Sequence, residues 1–212
     1  MNTLAFEIMT SPSSNDHQAR IRIDGTDWLG QEYLGLDPPR LFAQPSLTDG
    51  GKLLVGRCEC GCEGCDDVLV DVLRQGQEVL WTNAKGLHLH FDREEYERGV
   101  ASARQDFSWE DTKRTAERLV SEVFVGVSLD DGYTFDWASA RVRNGVMTLS
   151  FSKSGTQKLF EFSWDGQSPQ DALAEARRFH KDRVEPLDGP ANGSQPIRSE
   201  TKPTSSAAGS RR

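Results

Sequence analysis

The amino-acid sequence predicts an α+β protein: antiparallel sheets of hairpins and a meander, about three helices, and a disordered C-terminal tail. Three observations carry this expectation. Several short segments alternate apolar and polar residues with period two between Gly, Asn and Asp turns. Three other stretches pair a helix-start signal with apolar residues at helical spacing. Beyond Glu185 neither period survives.

The first strand candidates are Leu4 to Met9 and Ala19 to Ile23, the second alternating Ile21 and Ile23 with Arg20, Arg22 and Asp24 ahead of Gly25. Residues 10 to 18 are rich in Ser, Pro, Asn and Asp and read as a loop. Asp27 is placed to cap a short turn carrying Trp28 and Leu29. Pro38 and Pro39 are expected to exclude helix and mark a second loop.

Lys52 to Cys58 is an apolar run that leads into four cysteines. Val68 to Arg74 and Glu78 to Thr82 then read as a hairpin turning at Gln75 and Gly76. Leu87, Leu89 and Phe91 alternate with His88 and His90 as a further half-buried strand. Asp92 with Glu95 three residues on forms a capping box, flanked by Phe91 and Tyr96 at the staple positions, and predicts a helix from about Arg93 to Arg104. Ser108 with Asp111 repeats the device ahead of Leu119, Val120, Val123 and Phe124.

After Asp130, Asp131 and Gly132 the period becomes two, with Tyr133, Phe135 and Trp137 expected on one face. Asn144–Gly145 is the strongest hairpin signal in the chain. Val146 to Phe151 alternates, Ser154–Gly155 turns the chain again, and Gln157 to Trp164 completes a three-stranded meander. Ser168 as N-cap, Pro169 at N1 and Asp171 at N3 open a last helix to about Lys181. The organisation expected is an N-terminal α+β region over residues 1–106 with the cysteine loop, a helix–meander–helix region over 107–184, and a tail over 185–212. Whether the first two regions share one sheet is open to either reading. The tail, interrupted by Pro186, Pro190, Pro196 and Pro203, buries too little apolar surface to offset its ordering entropy.

Composition narrows the function. At 212 residues the chain can bury a sizeable core without crosslinks. Its formal charge is -8, and residues 1–180 hold 19 Lys/Arg against 29 Asp/Glu while residues 181–212 hold six against four. An acidic folded region without a basic patch argues against nucleic acid and favours a basic protein partner, as an immunity protein or antitoxin would have. No apolar run reaches the roughly 20 residues that span a bilayer, and Met1 to Thr10 lacks the pattern of a signal peptide. A cytoplasmic protein is expected, where thiols stay reduced.

The pointed feature is the segment Arg57 to Asp67, RCECGCEGCDD. Cys58, Cys60, Cys62 and Cys65 are the candidate metal ligands, with zinc the expected ion. Cys58 and Cys60, two apart at a strand end, point to one side, and Gly61 and Gly64 allow the chain to curl so that Cys62 and Cys65 turn inward. A variant replaces one sulfur with His88 or His90, which share a strand face. The alternative is a thiol redox sensor, but Glu59, Glu63, Asp66 and Asp67 raise thiol pKa values and so favour a cation over a reactive thiolate. The remaining reading is small residues in a tight turn.

C-x-C-G-x-x-G-C, written by Cys58, Cys60, Gly61, Gly64 and Cys65, is followed by Val79 and Trp81 at a hairpin end and then by Phe91, Asp92 and Tyr96. Over roughly residues 20 to 100 this resembles a group of uncharacterised bacterial proteins common in actinobacteria. The resemblance implies a bacterial source, brings no activity with it, and gives Cys62 a variable position, so that Cys58, Cys60 and Cys65 are the principal members. No phosphate loop, G-x-S-x-G elbow or H-E-x-x-H helix occurs. Asp66–Asp67 and Asp130–Asp131 read first as turn residues, and no catalytic or cofactor-binding residue is assigned. The expectation is a non-enzymatic protein acting through a partner, with an enzyme of another class as the remaining alternative.

Overall fold

A computed structural model describes residues 1–10, 17–60 and 64–183. The chain divides into two compact units, residues 1–109 and the part from Glu110 onward. The expected disordered tail and Cys62 lie outside the described residues. In the first unit, β1 (Leu4–Thr10), β2 (His17–Ile23) and β3 (Thr26–Asp27) form a three-stranded antiparallel sheet in that order. β4 (Tyr33–Gly35), β5 (Gly51–Cys58), β6 (Asp67–Gln75), β7 (Glu78–Thr82) and β8 (His88–Asp92) form a five-stranded antiparallel sheet in sequence order. Short helices α1 (Pro38–Phe42) and α2 (Ser46–Asp49) lead into β5, and α3 (Arg93–Gln105) follows β8.

Alternation decides which face of the larger sheet is buried. Leu53, Val55, Val70, Val72, Val79, Trp81 and Phe91 all point inward, against Ala19 and Ile21 of β2 and Leu41, Leu47, Tyr96 and Val100 of the helices. At the centre the Trp81 indole N–H donates to Tyr96 Oη at 3.2 Å, and Tyr96 Oη donates to the Leu47 carbonyl at 2.9 Å, so both polar tips are satisfied inside the core. α3 starts where the capping box predicts: Asp92 Oδ1 accepts the Glu95 N–H at 3.0 Å, and the Phe91 and Tyr96 rings sit 5.6 Å apart as the staple. Arg20, only 5% exposed, ties the segment after β2 together by binding Asp27 and the carbonyls of Gly30 and Tyr33.

The second unit packs α4 (Thr112–Phe124) and α5 (Pro169–Arg183) with a meander of β9 (Thr134–Arg143), β10 (Val146–Lys153) and β11 (Thr156–Ser163) in the order β11-β10-β9. Both hairpins turn in two residues, at Asn144–Gly145 and Ser154–Gly155. Phe124 of α4 touches the rings of Phe135, Phe151 and Phe179. Beside it lies a buried polar network. The Glu117 carboxylate accepts from the Ala140 amide at 2.8 Å, Ser139 Oγ at 3.1 Å, Arg141 Nε at 2.9 Å and Arg114 Nη1 at 3.0 Å. Arg114 reaches it from one turn earlier in α4, and the three β9 donors meet there where β9 is irregular between Ser139 and Arg143, opposite Thr148 and Val146.

Several expectations are corrected. Pro38 and Pro39 do not exclude a helix; they open α1, where the missing amide protons of the first turn have no intrahelical role. α2 and the short strands β3 and β4 were not expected at all. β1 and β2 extend to Thr10 and His17, which pair across the expected loop. The β6–β7 turn residues are Gly76 and Gln77, since Gln75 pairs with Glu78. Ser108 does not cap α4; Asp111 does, accepting the Arg114 N–H at 2.8 Å, and the longer reach of a carboxylate immediately before the helix wins. Trp137 does not share a face with Phe135, because β9 bulges between the partners of Ser150 and Phe151 and the parity flips, leaving Trp137 outward and Ala138 and Ala140 inward.

Candidate metal centre

The cysteines lie where β5 ends and β6 begins. β5 carries Cys58 as its last residue, paired across to Tyr33 of β4. The Cys58 amide donates to the Asp66 carbonyl at 3.0 Å, which draws the two ends of the turn together. Gly64 adopts φ +74, a left-handed conformation that brings the chain back. Its amide donates to Asp67 Oδ2 at 3.2 Å, and Tyr33 Oη donates to Asp66 Oδ2 at 3.2 Å. That phenol is held above its ordinary value, first by this hydrogen bond and then by the charge of Asp66.

The Sγ atoms of Cys58, Cys60 and Cys65 all lie within 4.8 Å of one another. None of the three is in a disulfide; Cys58 is half-buried while Cys60 and Cys65 are exposed. Cys58 and Cys60 bring their sulfurs to 2.7 Å, closer than residues two apart on a strand stand, because β5 ends at Cys58 and the chain turns at Glu59 and Cys60. Zn–S bonds of about 2.3 Å in a tetrahedron set sulfurs about 3.8 Å apart, so this pair opens by about 1 Å to hold an ion. It closes by a smaller distance to reach the roughly 2.05 Å of a disulfide.

The Cys65 thiol is pushed up to about 11, by hydrogen bonding to the Cys58 and Cys60 sulfurs and then by their charge. The sequence pointed to acidic neighbours as the cause, whereas the sulfurs themselves supply it. A thiol in that range keeps its proton at neutral pH and is a weak nucleophile. A divalent cation reverses the balance by replacing the proton with a direct bond.

The structure thus brings together three of the four expected sulfurs. His88 and His90 are not in the group: β8 is the far edge strand, with β7 between it and β6, and His90 Nδ1 lies 3.4 Å from Glu78 Oε2. Tyr33 is the participant that sequence reasoning missed. It stands 25 positions before Cys58, and only the β4–β5 pairing, held in place by Arg20 on the Tyr33 carbonyl, delivers it to the turn. No family model, curated protein or solved structure is similar to this chain at a significant level.

Proposed function

We propose that Cys58, Cys60 and Cys65 bind a zinc ion that pins the β5–β6 turn, in a cytoplasmic, non-enzymatic protein that works by binding a basic protein partner. The observation that carries the metal reading is the convergence of three thiols within 4.8 Å on one turn. Acidic Glu59, Asp66 and Asp67 around the turn add attraction for a cation. The resemblance to the actinobacterial group, in which the position of Cys62 varies, favours these three as the principal ligands. The partner reading rests on charge: residues 1–109 hold 18 Asp/Glu against 10 Lys/Arg, and so carry the equivalent of the whole formal charge of -8. A hollow lined by Phe6, Ile8, Ala103, Asp106, Ser108 and Trp109 holds about 130 Å³.

The test is elemental analysis of protein purified reduced and without chelator, repeated on Cys58→Ser, Cys60→Ser, Cys62→Ser and Cys65→Ser. One equivalent of zinc, lost in the Cys58, Cys60 and Cys65 variants, is expected. Folded, reduced protein without metal overturns the metal reading. The 2.7 Å approach of Cys58 and Cys60 supports a second reading, a thiol redox sensor. Its signature is a reversible loss of two protons on mild oxidation of metal-free protein.

A further inference from the structure

The outer face of the five-stranded sheet is more apolar than a solvated face requires. On β6 the outward positions read Leu69, Asp71, Leu73. Leu54 of β5 stands opposite Leu69, and Leu80 of β7 stands opposite Leu73. Two cross-strand leucine pairs therefore lie on three adjacent strands, one on each side of the row Lys52, Asp71 and Thr82, with Leu69 and Leu73 exposed to 44% and 43%. An antiparallel sheet with one wet face normally places polar residues at such positions, and apolar groups rimmed by polar ones on an exposed face mark an interaction surface.

Asp71 sits between the two exposed leucines. Across the strand it pairs with Lys52, 3.3 Å away and 75% exposed, a surface pair that contributes little. The unit bearing the face holds 18 Asp/Glu against 10 Lys/Arg. A second copy with the same charge, an anionic lipid surface and a nucleic acid are all repelled by it. We propose that this face docks a basic amphipathic helix of a protein partner, an inference that rests on the partner reading above. Sheet faces are covered by helices or by other sheets. Outward neighbours on a strand are about 6.6 Å apart, and helix residues four apart rise about 6 Å. A helix with apolar side chains at i and i+8 and Lys or Arg at i+4 therefore matches Leu69, Leu73 and Asp71 in turn.

The test uses the full chain and two labelled synthetic 18-residue peptides, one with leucine and lysine at amphipathic helical spacing, the other with glutamate in place of lysine. Fluorescence anisotropy should show binding of the lysine peptide only. The affinity should fall at least tenfold in Leu69→Gln/Leu73→Gln, fall in 0.5 M salt, and stay unchanged in Leu159→Gln, an exposed leucine of the other unit. Asp71→Asn, which keeps every leucine in place, should weaken binding and flatten the salt dependence, so the test does not depend on one variant folding. Binding of the lysine peptide that ignores both sets of substitutions overturns this face while the basic-partner reading stands. Absence of binding removes both, and neither result touches the zinc measurement. A dimer in sedimentation equilibrium that Leu69→Gln/Leu73→Gln dissolves also overturns the proposal, by naming a second copy as the occupant.

Discussion

Replacing Glu117 by Gln should cost the second unit about 3 to 5 kcal/mol. The carboxylate is 6% exposed and its two oxygens accept four hydrogen bonds, two of them from the guanidinium groups of Arg114 and Arg141. An amide of the same shape keeps one accepting oxygen and turns an NH2 toward a guanidinium. One of the two charge-assisted bonds is lost, a contribution of about 1.5 to 3 kcal/mol, and the negative charge facing both Arg141 and the 3% exposed Arg114 is removed. Breaking one side of a buried pair costs about 3 to 5 kcal/mol in comparable cases. The assay is urea denaturation of the full chain, with amide hydrogen exchange at Ala140 as a local readout, because that amide donates directly to Glu117 Oε1. Adding Arg141→Gln closes a double-mutant cycle, and the pair should couple by more than about 0.5 kcal/mol. A loss below about 1 kcal/mol with Ala140 protection unchanged would refute the reasoning, since it would mean that water or a neighbouring group replaces the carboxylate without penalty.

Three further outcomes are expected. Zinc at a hundredfold excess over its dissociation constant should stabilise the first unit by about 2.7 kcal/mol, a rise in thermal midpoint of roughly 10 °C or more for a unit of this size; a midpoint indifferent to zinc and to chelator would contradict the site. Gly35→Ala places a methyl group against the Ala19 carbonyl oxygen, which is backbone and cannot turn aside, so a loss of about 2 kcal/mol or more and release of β4 are expected; a variant with wild-type stability would show that the β2–β4 approach is looser than described. Asp24 is held below the usual carboxylate range, first by the Thr3 amide and then by the Asn2 side chain. A lowered pKa in the folded state gives a contribution that is complete above the ordinary value near 3.9 and disappears as pH falls through the lowered value. Exchange at the Thr3 amide, corrected for its intrinsic rate, should accelerate in that acid range and not above it.

Local chemistry was legible and long-range contact was not. Asp92, Glu95, Phe91 and Tyr96 lie within six residues, so the start of α3 could be read directly from the chain. Asn144–Gly145 named its turn because that pair tolerates the backbone the hairpin demands; Gly145 takes φ +67. The cysteine turn was visible for the same reason, since its thiols are close in sequence. Pro38–Pro39 was misread because proline is a helix breaker inside a helix and a helix starter at its first turn, and composition does not say which. The outward flip of Trp137 depends on one extra residue in β9 relative to its partner strand, which no pattern within β9 reveals. Tyr33 reaches the cysteine turn only through strand pairing, and Glu117 meets Ser139, Ala140 and Arg141 only after β9 packs beside α4. Such contacts are set by the register of other elements.

The cysteine turn has a consequence for the order in which the molecule is made. Cys58, Cys60 and Cys65 fall within eight consecutive residues, between two strands that pair directly with each other. Bringing their sulfurs together closes only a small loop, which forms in well under a microsecond. Capture of the proposed ion therefore need not wait for the remaining strands or for α3. A ribosome that has released little more than β5 and β6 already presents the three thiols, so an ion caught there would act as a clasp on the nascent hairpin, fixing its register before β7, β8 and the helix arrive to bury it.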